Sequence, residues 1–419
     1  MSHPVKLLVR DDLRRTRASV FFRLLLAIPH FIWLSLWGIA VFFAVIFNWF
    51  AVLVRGTAPQ GLHGFLAEYL RYAVHVGAYV NLLADPYPKF SGDPGYAIDL
   101  EVAPPERQSR WTVFFRLLLV IPATLIGFAL AGGYGEAHAG FRTGGGLLIT
   151  VAFLGWFAAL ARANMPRGMR DAGAYALAYS AQLTAYLFIL TDRYPDSDPL
   201  AALDDRPVRE DPISLSVEDD LRRSRLTVFF RLLLAIPHIV WLQLWGIVAL
   251  LALVVNWVAT LFAGQSPDAL HRFLAAYLRY QTHVIAFLTL TANPFPGFTG
   301  APGRYPVDLV VAPRERQGRW SVLFRLLLAF PALLISGAYG GVIYTVAILG
   351  WFSALARGRM PLGMRNAAAL SLRYMQQVSA YLWLLTPSYP YSGPTATAAA
   401  TADPMPPAAP EAVATSPMT

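Results

Sequence analysis

Four arginines lie inside apolar segments of this 419-residue sequence, and each is followed by Leu-Leu-Leu and, six positions on, by a proline. A guanidinium held in a hydrophobic segment is costly in lipid, so its repetition indicates a specific role. Its planar fork of N–H donors can bind a phosphate or carboxylate bidentately. Either the side chains snorkel to the headgroup layer, or they form a ring around a pseudo-symmetry axis that binds an anion such as a lipid headgroup. These residues are Arg23, Arg116, Arg231 and Arg325.

Histidine forms a second pattern, because six of the eight histidines recur at equivalent places in the two halves of the chain. Imidazoles that face the inside of a helix bundle can bind haem or a transition metal. No His-x₃-His or Glu-x-x-His spacing occurs within an apolar segment, however, and a histidine after a proline can satisfy carbonyls freed at a helix kink. We therefore expect His30 and His238 to be structural polar groups, and we expect no metal and no cofactor. The other pairs are His63 with His271 and His75 with His283.

Polar groups that catalysis requires are scarce in the apolar segments. Asn48 and Asn256 each precede a tryptophan, and we expect both to form hydrogen bonds between helices. No carboxylate lies between Phe21 and Val54, and no Gly-x-Ser-x-Gly, Walker or dinucleotide motif occurs. Proton-coupled transport, glycoside hydrolysis and proteolysis therefore lack their usual acids, bases and nucleophiles. The sequence predicts that the protein is not an enzyme.

The composition is that of a polytopic membrane protein. Hydrophobic residues make up 56% of the chain and charged residues 14%, against roughly 45–50% and 25% in soluble domains. The net charge of +9 flanks the apolar segments, which favours a positive-inside membrane protein over a nucleic-acid binder. We predict a multi-pass protein of the cell membrane with cytoplasmic N- and C-termini, whose partner is the lipid bilayer, with anionic lipids as candidate ligands. The absence of cysteine excludes disulfides and thiolate metal sites, and the oligomeric state is left open.

Internal repetition divides the chain into four units that alternate as A-B-A-B. The repeated motifs place these units at residues 1–94, 95–205, 206–302 and 303–390. The A units share Asn-Trp and Leu-Arg-Tyr, and the B units share Glu-Arg-Gln, so we infer the duplication of a two-unit ancestor. A tail at 391–419, rich in Ala, Thr and Pro, is predicted to be disordered.

Each unit contains an apolar stretch that is too long for one membrane-spanning helix, which needs about 20 residues. A glycine-rich insertion at 132–146 interrupts this stretch in the second unit, and insertions are tolerated in loops. We therefore expect helical hairpins that turn near Gly38, Gly246 and their equivalents, with both ends cytoplasmic and eight spans in total. An amphipathic helix such as 62–83 then lies in the interface; if these helices cross instead, the count is twelve.

Short segments between the units alternate apolar and polar residues, which is the period of a half-buried strand. One segment per unit, around Val5, Leu100, Leu215 and Leu309, can pair into a small surface sheet, because a lone strand leaves its backbone groups unpaired. The predicted fold is an all-α integral membrane protein of four helical-hairpin units, with amphipathic interfacial helices and short surface β-strands between the units.

The repeated motif resembles a bacterial membrane family, the domain of unknown function 4389, in tandem copies. The likeness rests on an aromatic-Arg-Leu-Leu-Leu-Ala-Ile-Pro-His opening, a Tyr-Pro-Val-Asp-Leu strand and a Leu-Arg-Tyr helix. The B units depart from it, with Ala123 and Ala332 after the proline and Ala178 in place of the helical arginine. The resemblance implies a membrane location and no established activity.

We interpret the chain as a non-enzymatic membrane protein whose arginines and interfacial helices bind or scaffold anionic lipid headgroups. One alternative is a channel or transporter with a pathway between the duplicated halves, as internal repeats often provide. A second alternative, which rests on the paired histidines alone, is a haem or metal redox protein.

Overall fold

The computed structural model describes residues 3–132, 145–202, 209 and 211–395, and it is mostly helical. In the first half these residues form β1 (Val5–Val9), α1 (Arg17–Arg55), α2 (Gln60–Val80), β2 (Ile98–Val102), α3 (Arg110–Phe114), α4 (Arg116–Leu119), α5 (Ile121–Ala131), α6 (Leu147–Arg162) and α7 (Arg167–Leu187). In the second half they form β3 (Ile213–Val217), α8 (Arg225–Phe229), α9 (Arg231–Ala263), α10 (Asp268–Leu288), β4 (Val307–Val311), α11 (Arg319–Leu323), α12 (Arg325–Arg357) and α13 (Leu362–Leu382).

Three of the long apolar stretches form continuous helices, so the predicted hairpin turns are wrong in these units. α1 runs for 39 residues through Gly38, α9 runs for 33 residues through Gly246, and α12 also has 33 residues. The two glycines permit close packing and do not form turns. A Cβ on Gly38 would lie 3.3 Å from the Tyr69 hydroxyl, and one on Gly246 would lie 2.8 Å from the Tyr277 hydroxyl. At 1.5 Å per residue, the three helices are roughly 50–60 Å long.

The second unit differs, because α5 ends at Ala131 and α6 begins at Leu147. The two helix ends adjoin at a pair of glycines, where a Cβ on Gly146 would lie 2.1 Å from the Gly132 nitrogen. The predicted loop insertion lies between these two glycines, and its residues 133–144 lie outside the described residues. By length and composition, α1, α9 and α12 are able to span a membrane, whereas α5 and α6 are shorter apolar helices.

All four predicted strands are present, but they form two antiparallel two-stranded sheets and not a single sheet. β1 pairs with β2, with Leu7 opposite Leu100, and β3 pairs with β4, with Leu215 opposite Leu309. Two strands alone are marginally stable in water, and here their apolar rows are buried against helices. β1 packs on α7 and β2 packs on α2, so each strand packs on a helix of the neighbouring unit.

The four 21-residue helices α2, α7, α10 and α13 supply much of the buried centre of the molecule. The predicted polar face of α2 is partly covered by protein, although Glu68 on that face is exposed. Arg71 Nε donates to the Leu100 carbonyl (2.8 Å), and His75 Nε2 is hydrogen-bonded to Asp99 (2.9 Å). Placement of these helices in the membrane interface stays a prediction.

α2 also lies antiparallel to the first half of α1. Arg23 contacts the backbone of Tyr79 near one end of the pair, and Trp37 packs on Phe65 near the other, with ring centroids 6.1 Å apart. The two helices therefore run side by side over most of the length of α2.

The two halves of the chain contact each other through their B units. α5 and α6 pack on α12, and Asn366 Nδ2 donates to the Asp198 carboxylate (2.9 Å). The Tyr391 hydroxyl donates to the Asp171 carboxylate (2.6 Å). Tyr391 is thus part of the packed molecule although the sequence assigns it to the disordered tail. Residues 396–419 of that tail lie outside the described residues.

Candidate functional site

The four arginines predicted to snorkel or to bind an anion are buried within the protein. Arg23 lies in the second turn of α1, and the others are the first residues of α4, α9 and α12. Each residue is 2% exposed. A side chain so deeply buried does not follow the outside of a helix to the headgroup layer, so the snorkelling interpretation is wrong.

Each guanidinium binds backbone carbonyls at the C-terminal end of the 21-residue helix in its own unit. Arg23 Nη1 donates to the carbonyls of Tyr79 and Ala84, both at 2.9 Å. The last carbonyls of a helix lack partners within that helix. Arg23 therefore caps α2 and fixes its end against the start of α1. The same pair of bonds joins Arg116 to Tyr186 and Thr191, Arg231 to Phe287 and Ala292, and Arg325 to Tyr381 and Thr386.

An aromatic ring lies against each guanidinium. The distances from Cζ to the ring centroid are 4.1–4.4 Å, and the rings belong to Tyr79, Tyr186, Phe287 and Tyr381. A desolvated cation–π contact of this kind stabilises by about 2 kcal/mol. One residue thus supplies both a carbonyl acceptor and a ring.

In the first half of the chain a carboxylate neutralises each buried arginine. Arg23 Nη2 donates to Asp85 at 2.6 Å, and Arg116 Nη2 donates to Asp192 at 3.0 Å. The carboxylate side chains are 22% and 29% exposed, so they lie at the molecular surface. Asp85 also accepts the backbone N–H of Thr16, the residue before α1, at 3.1 Å.

The second half has other residues at these positions. In every unit the position follows the second carbonyl that the arginine binds, and Asn293 and Pro387 stand there in place of aspartate. Arg231 Nη2 donates to the side-chain oxygen of Asn293 (3.2 Å), and Arg325 Nη2 donates to Gln317 Oε1. Within the described part of the chain, neither arginine forms an ion pair.

The contacts do not support the shared ring of arginines suggested by the sequence. All of the hydrogen bonds described above connect a guanidinium to residues of its own unit. Their Nη donors act as links between helices, and an anion held jointly by the four groups has no geometric basis in these contacts.

His30 and His238 are fully buried and pair with tyrosines of the following helix. Their Nδ1 atoms lie 2.6 Å from the Tyr72 hydroxyl and 2.7 Å from the Tyr280 hydroxyl. Among the described residues, the Nε2 atom of each has no hydrogen-bond partner. The expected structural role is consistent with this geometry, although the partner is a tyrosine and not a carbonyl freed at the proline.

Asn48 and Asn256 hold the A units to the B units. Asn48 Nδ2 donates to the Phe188 carbonyl (3.0 Å) and Asn256 Nδ2 donates to the Trp383 carbonyl (3.1 Å), each at the C-terminal end of a B-unit helix. Each hydrogen bond joins a long A-unit helix to the C-cap residue of a B-unit helix.

Sequence reasoning missed a buried histidine–aspartate pair that joins each A-unit helix to a strand. His75 Nε2 lies 2.9 Å from Asp99, and His283 Nε2 lies 2.8 Å from Asp308. Burial raises the pKa of Asp99, but hydrogen bonds from Gly95 N–H and His75 outweigh burial and bring the pKa below its ordinary value. The alternation of apolar and polar residues in β2 predicts that Asp99 lies on the polar side of the strand. In the sequence, the pair is indicated only by the recurrence of the histidine and the aspartate in the second half of the chain.

The comparison with known families agrees with this repeated geometry. The profile of a domain of unknown function (DUF4389) matches four segments, residues 17–92, 141–197, 225–299 and 319–392, which together cover more than half of the chain. The chain belongs to this family. No curated protein and no solved structure showed a significant match.

Three of the DUF4389 matches contain a buried arginine together with the carbonyls that it binds. These arginines are Arg23, Arg231 and Arg325. The second match begins at residue 141, so Arg116 lies outside it. The equivalence of Arg116 to the other three therefore rests on the shared sequence motif and on its contacts.

Proposed function

We propose that the protein is a non-enzymatic, multi-pass protein of the cell membrane, built from four repeat units, that contacts lipid through its long helices and scaffolds anionic headgroups. The observation that carries this proposal is the outer surface of α1, α9 and α12. In the most apolar 18-residue window, 22% of α1 and 17% of α9 is buried inside the protein. Most of the apolar side chains in these helices therefore face outward.

The direction of polarity in these helices supports a lipid environment. On α9, Ile247 and Leu250 are each 62% exposed, whereas His238 and Asn256 are fully buried. Soluble monomers rarely expose contiguous apolar patches larger than a few hundred Å². A bilayer removes the cost of such a surface, because the exposed side chains are then surrounded by hydrocarbon.

Packing within a unit constrains the topology. Because α2 lies alongside the first half of α1, the two helices share a similar depth, and an interfacial α2 does not combine with an α1 that is perpendicular to the membrane. The exposed carboxylate of Glu101 on β2 favours the aqueous side for the sheet. Because α1, α9 and α12 are continuous helices and not hairpins, they give no reason to place both of their ends in the cytoplasm. The proposed orientation of the protein therefore rests on the basic residues near the chain termini.

In this proposal, exposed arginines at the helix ends make the headgroup contacts that scaffold the bilayer. Exposed basic groups flank several of the apolar helices, and each basic residue near an anionic membrane surface contributes about 1 kcal/mol to binding. These residues are Arg14, Arg17, Arg55, Arg162 and Arg357.

Neither alternative function gains a specific observation. A cavity of about 490 Å³ is lined by residues of the first half alone, including Lys6, Arg71 and Glu101, and does not lie between the halves. The described residues bring no three histidine, aspartate or glutamate side chains together as a metal site.

Single cysteines test the proposal, because the natural chain has none. We expect Leu250→Cys to resist a water-soluble maleimide in isolated membranes and to react after detergent is added. Glu101→Cys, its aqueous control, should react in opened membranes but not in intact cells if the sheet is cytoplasmic. Equal reactivity of both positions in membranes without detergent would reject membrane insertion of α9.

A further inference from the structure

The charge balance around the buried arginines differs between the two halves of the chain. Asp85 and Asp192 neutralise the two arginines of the first half. Asn293 and Pro387 stand at those positions in the second half. Two guanidinium groups that are each 2% exposed thus have no carboxylate of their own within the described part of the chain.

Neighbouring acids do not remove this imbalance. Asp219 acts on Arg231 through space, but its two oxygens already accept hydrogen bonds from Arg223, at 3.1 and 2.7 Å. An equivalent pair lies beside the arginine of the first unit, where Asp85 is present in addition. The third unit therefore has one negative charge fewer than the first at this site, so its net charge there is more positive by one.

The missing carboxylate also leaves a donor without an acceptor. In Arg23, both N–H groups of Nη2 are used, by Ser19 and Asp85. Arg231 Nη2 donates to Asn293 alone, and Arg325 Nη2 donates to Gln317 alone, among the described residues. A buried guanidinium without a counter-charge destabilises the folded state.

We propose that Arg231 and Arg325 each bind, through Nη2, an exogenous oxyanion of the phosphate class beside Asn293 and Pro387, the residues that stand in place of the aspartates. Asn293 and Pro387 are themselves partly exposed, so an anion can reach these positions from the molecular surface. A guanidinium and a phosphate oxygen form a short, charge-assisted hydrogen bond.

A lipid headgroup and free phosphate present the same oxygens to the arginine. The lipid version of this inference rests on the membrane location proposed above, whereas the version with free phosphate does not. Phosphatidylglycerol and inorganic phosphate are therefore separate arms of one experiment, and a galactolipid without phosphate is the control lipid.

Two opposite variants of the purified, delipidated full chain test the inference. Asn293→Asp with Pro387→Asp restores the carboxylates, and Asp85→Asn with Asp192→Asn removes them from the first half. We expect phosphatidylglycerol or phosphate to raise the unfolding temperature of the natural chain in a saturable way. The restoring variant should be more stable without anion and bind it at least about tenfold more weakly, because the carboxylate occupies the site. The removing variant should be less stable and should take up additional anion.

The two arms also separate the possible sources of the anion. Stabilisation by phosphatidylglycerol alone assigns the site to lipid headgroups, whereas stabilisation by inorganic phosphate in detergent supports the site even if the membrane location fails. If Pro387→Asp prevents folding, Asn293→Asp alone decides for Arg231. An unchanged anion response in the restoring variant, or an equal response to the galactolipid, would overturn the inference.

Discussion

At the scale of single residues, the distance along the chain between each buried arginine and its aromatic partner is informative. It is 56 residues in three units and 70 in the second, where an insertion separates α5 from α6. The fixed spacing of an arginine and an aromatic residue was therefore a usable signal for contact. Sequence could not identify the acceptors, because backbone carbonyls have no residue type of their own.

Arg23→Lys tests the capping role. An ammonium group has three donors on one atom and does not reach both helix-end carbonyls and Asp85 in the geometry of the guanidinium fork. We expect a loss of roughly 1–3 kcal/mol in the free energy of unfolding, measured by chemical denaturation in neutral detergent. The control Arg55→Lys, at an exposed site, should change stability by less than about 0.5 kcal/mol. A loss that appears only with anionic lipid would contradict capping and restore the anion-binding interpretation.

At the scale of elements, the sequence predicts strands better than it predicts helix ends. Alternation of apolar and polar residues locates all four strands, because one face of each is buried. The hairpin prediction is wrong because a glycine such as Gly38 can mark either a turn or a close contact between helices. Only the position of Tyr69 in the structure distinguishes the two. The sequence predicts that α2 has a polar face. It does not show that β2 covers part of this face, because that contact depends on pairing between distant segments.

The junction of α2 with β2 predicts a dependence of stability on pH. Burial lowers the pKa of His75. Below about pH 6.5 the unfolded chain therefore binds a proton more readily than the folded chain does, and the folded state loses stability as the pH decreases. The lowered pKa of Asp99 adds a further loss below about pH 4. His75→Gln should reduce the slope of unfolding free energy between pH 7 and 5 by up to about 1.4 kcal/mol per pH unit.

The repeat itself provides a precedent for this variant. Gln182 lies three residues after Tyr179 on α7, as His75 lies three residues after Tyr72 on α2, and Gln182 also bonds to a strand, at the Val5 carbonyl (3.3 Å). Unfolding in detergent at several pH values measures the slope. An identical slope in the natural chain and in His75→Gln would show that this histidine does not titrate with unfolding.

At the scale of the whole molecule, two kinds of surface meet on one chain. Long helices present apolar side chains outward and polar ones inward, while the sheet of β1 and β2 carries the exposed charge of Glu101. Composition predicts that a membrane is involved, since 56% of the residues are hydrophobic and only 14% are charged. The path of the chain through the bilayer does not follow from composition, because a continuous helix and a hairpin have the same residues.

The most direct test of this account is the collision of a spin label with reagents of opposite solubility in proteoliposomes. A nitroxide attached at Leu250→Cys, on the exposed side of α9, should collide with oxygen, which concentrates in hydrocarbon, far more often than with a water-soluble nickel complex. A nitroxide at Glu101→Cys should show the reverse preference. If the label at position 250 meets the nickel complex as often as the label at position 101 does, the long helices do not face lipid and the account is wrong.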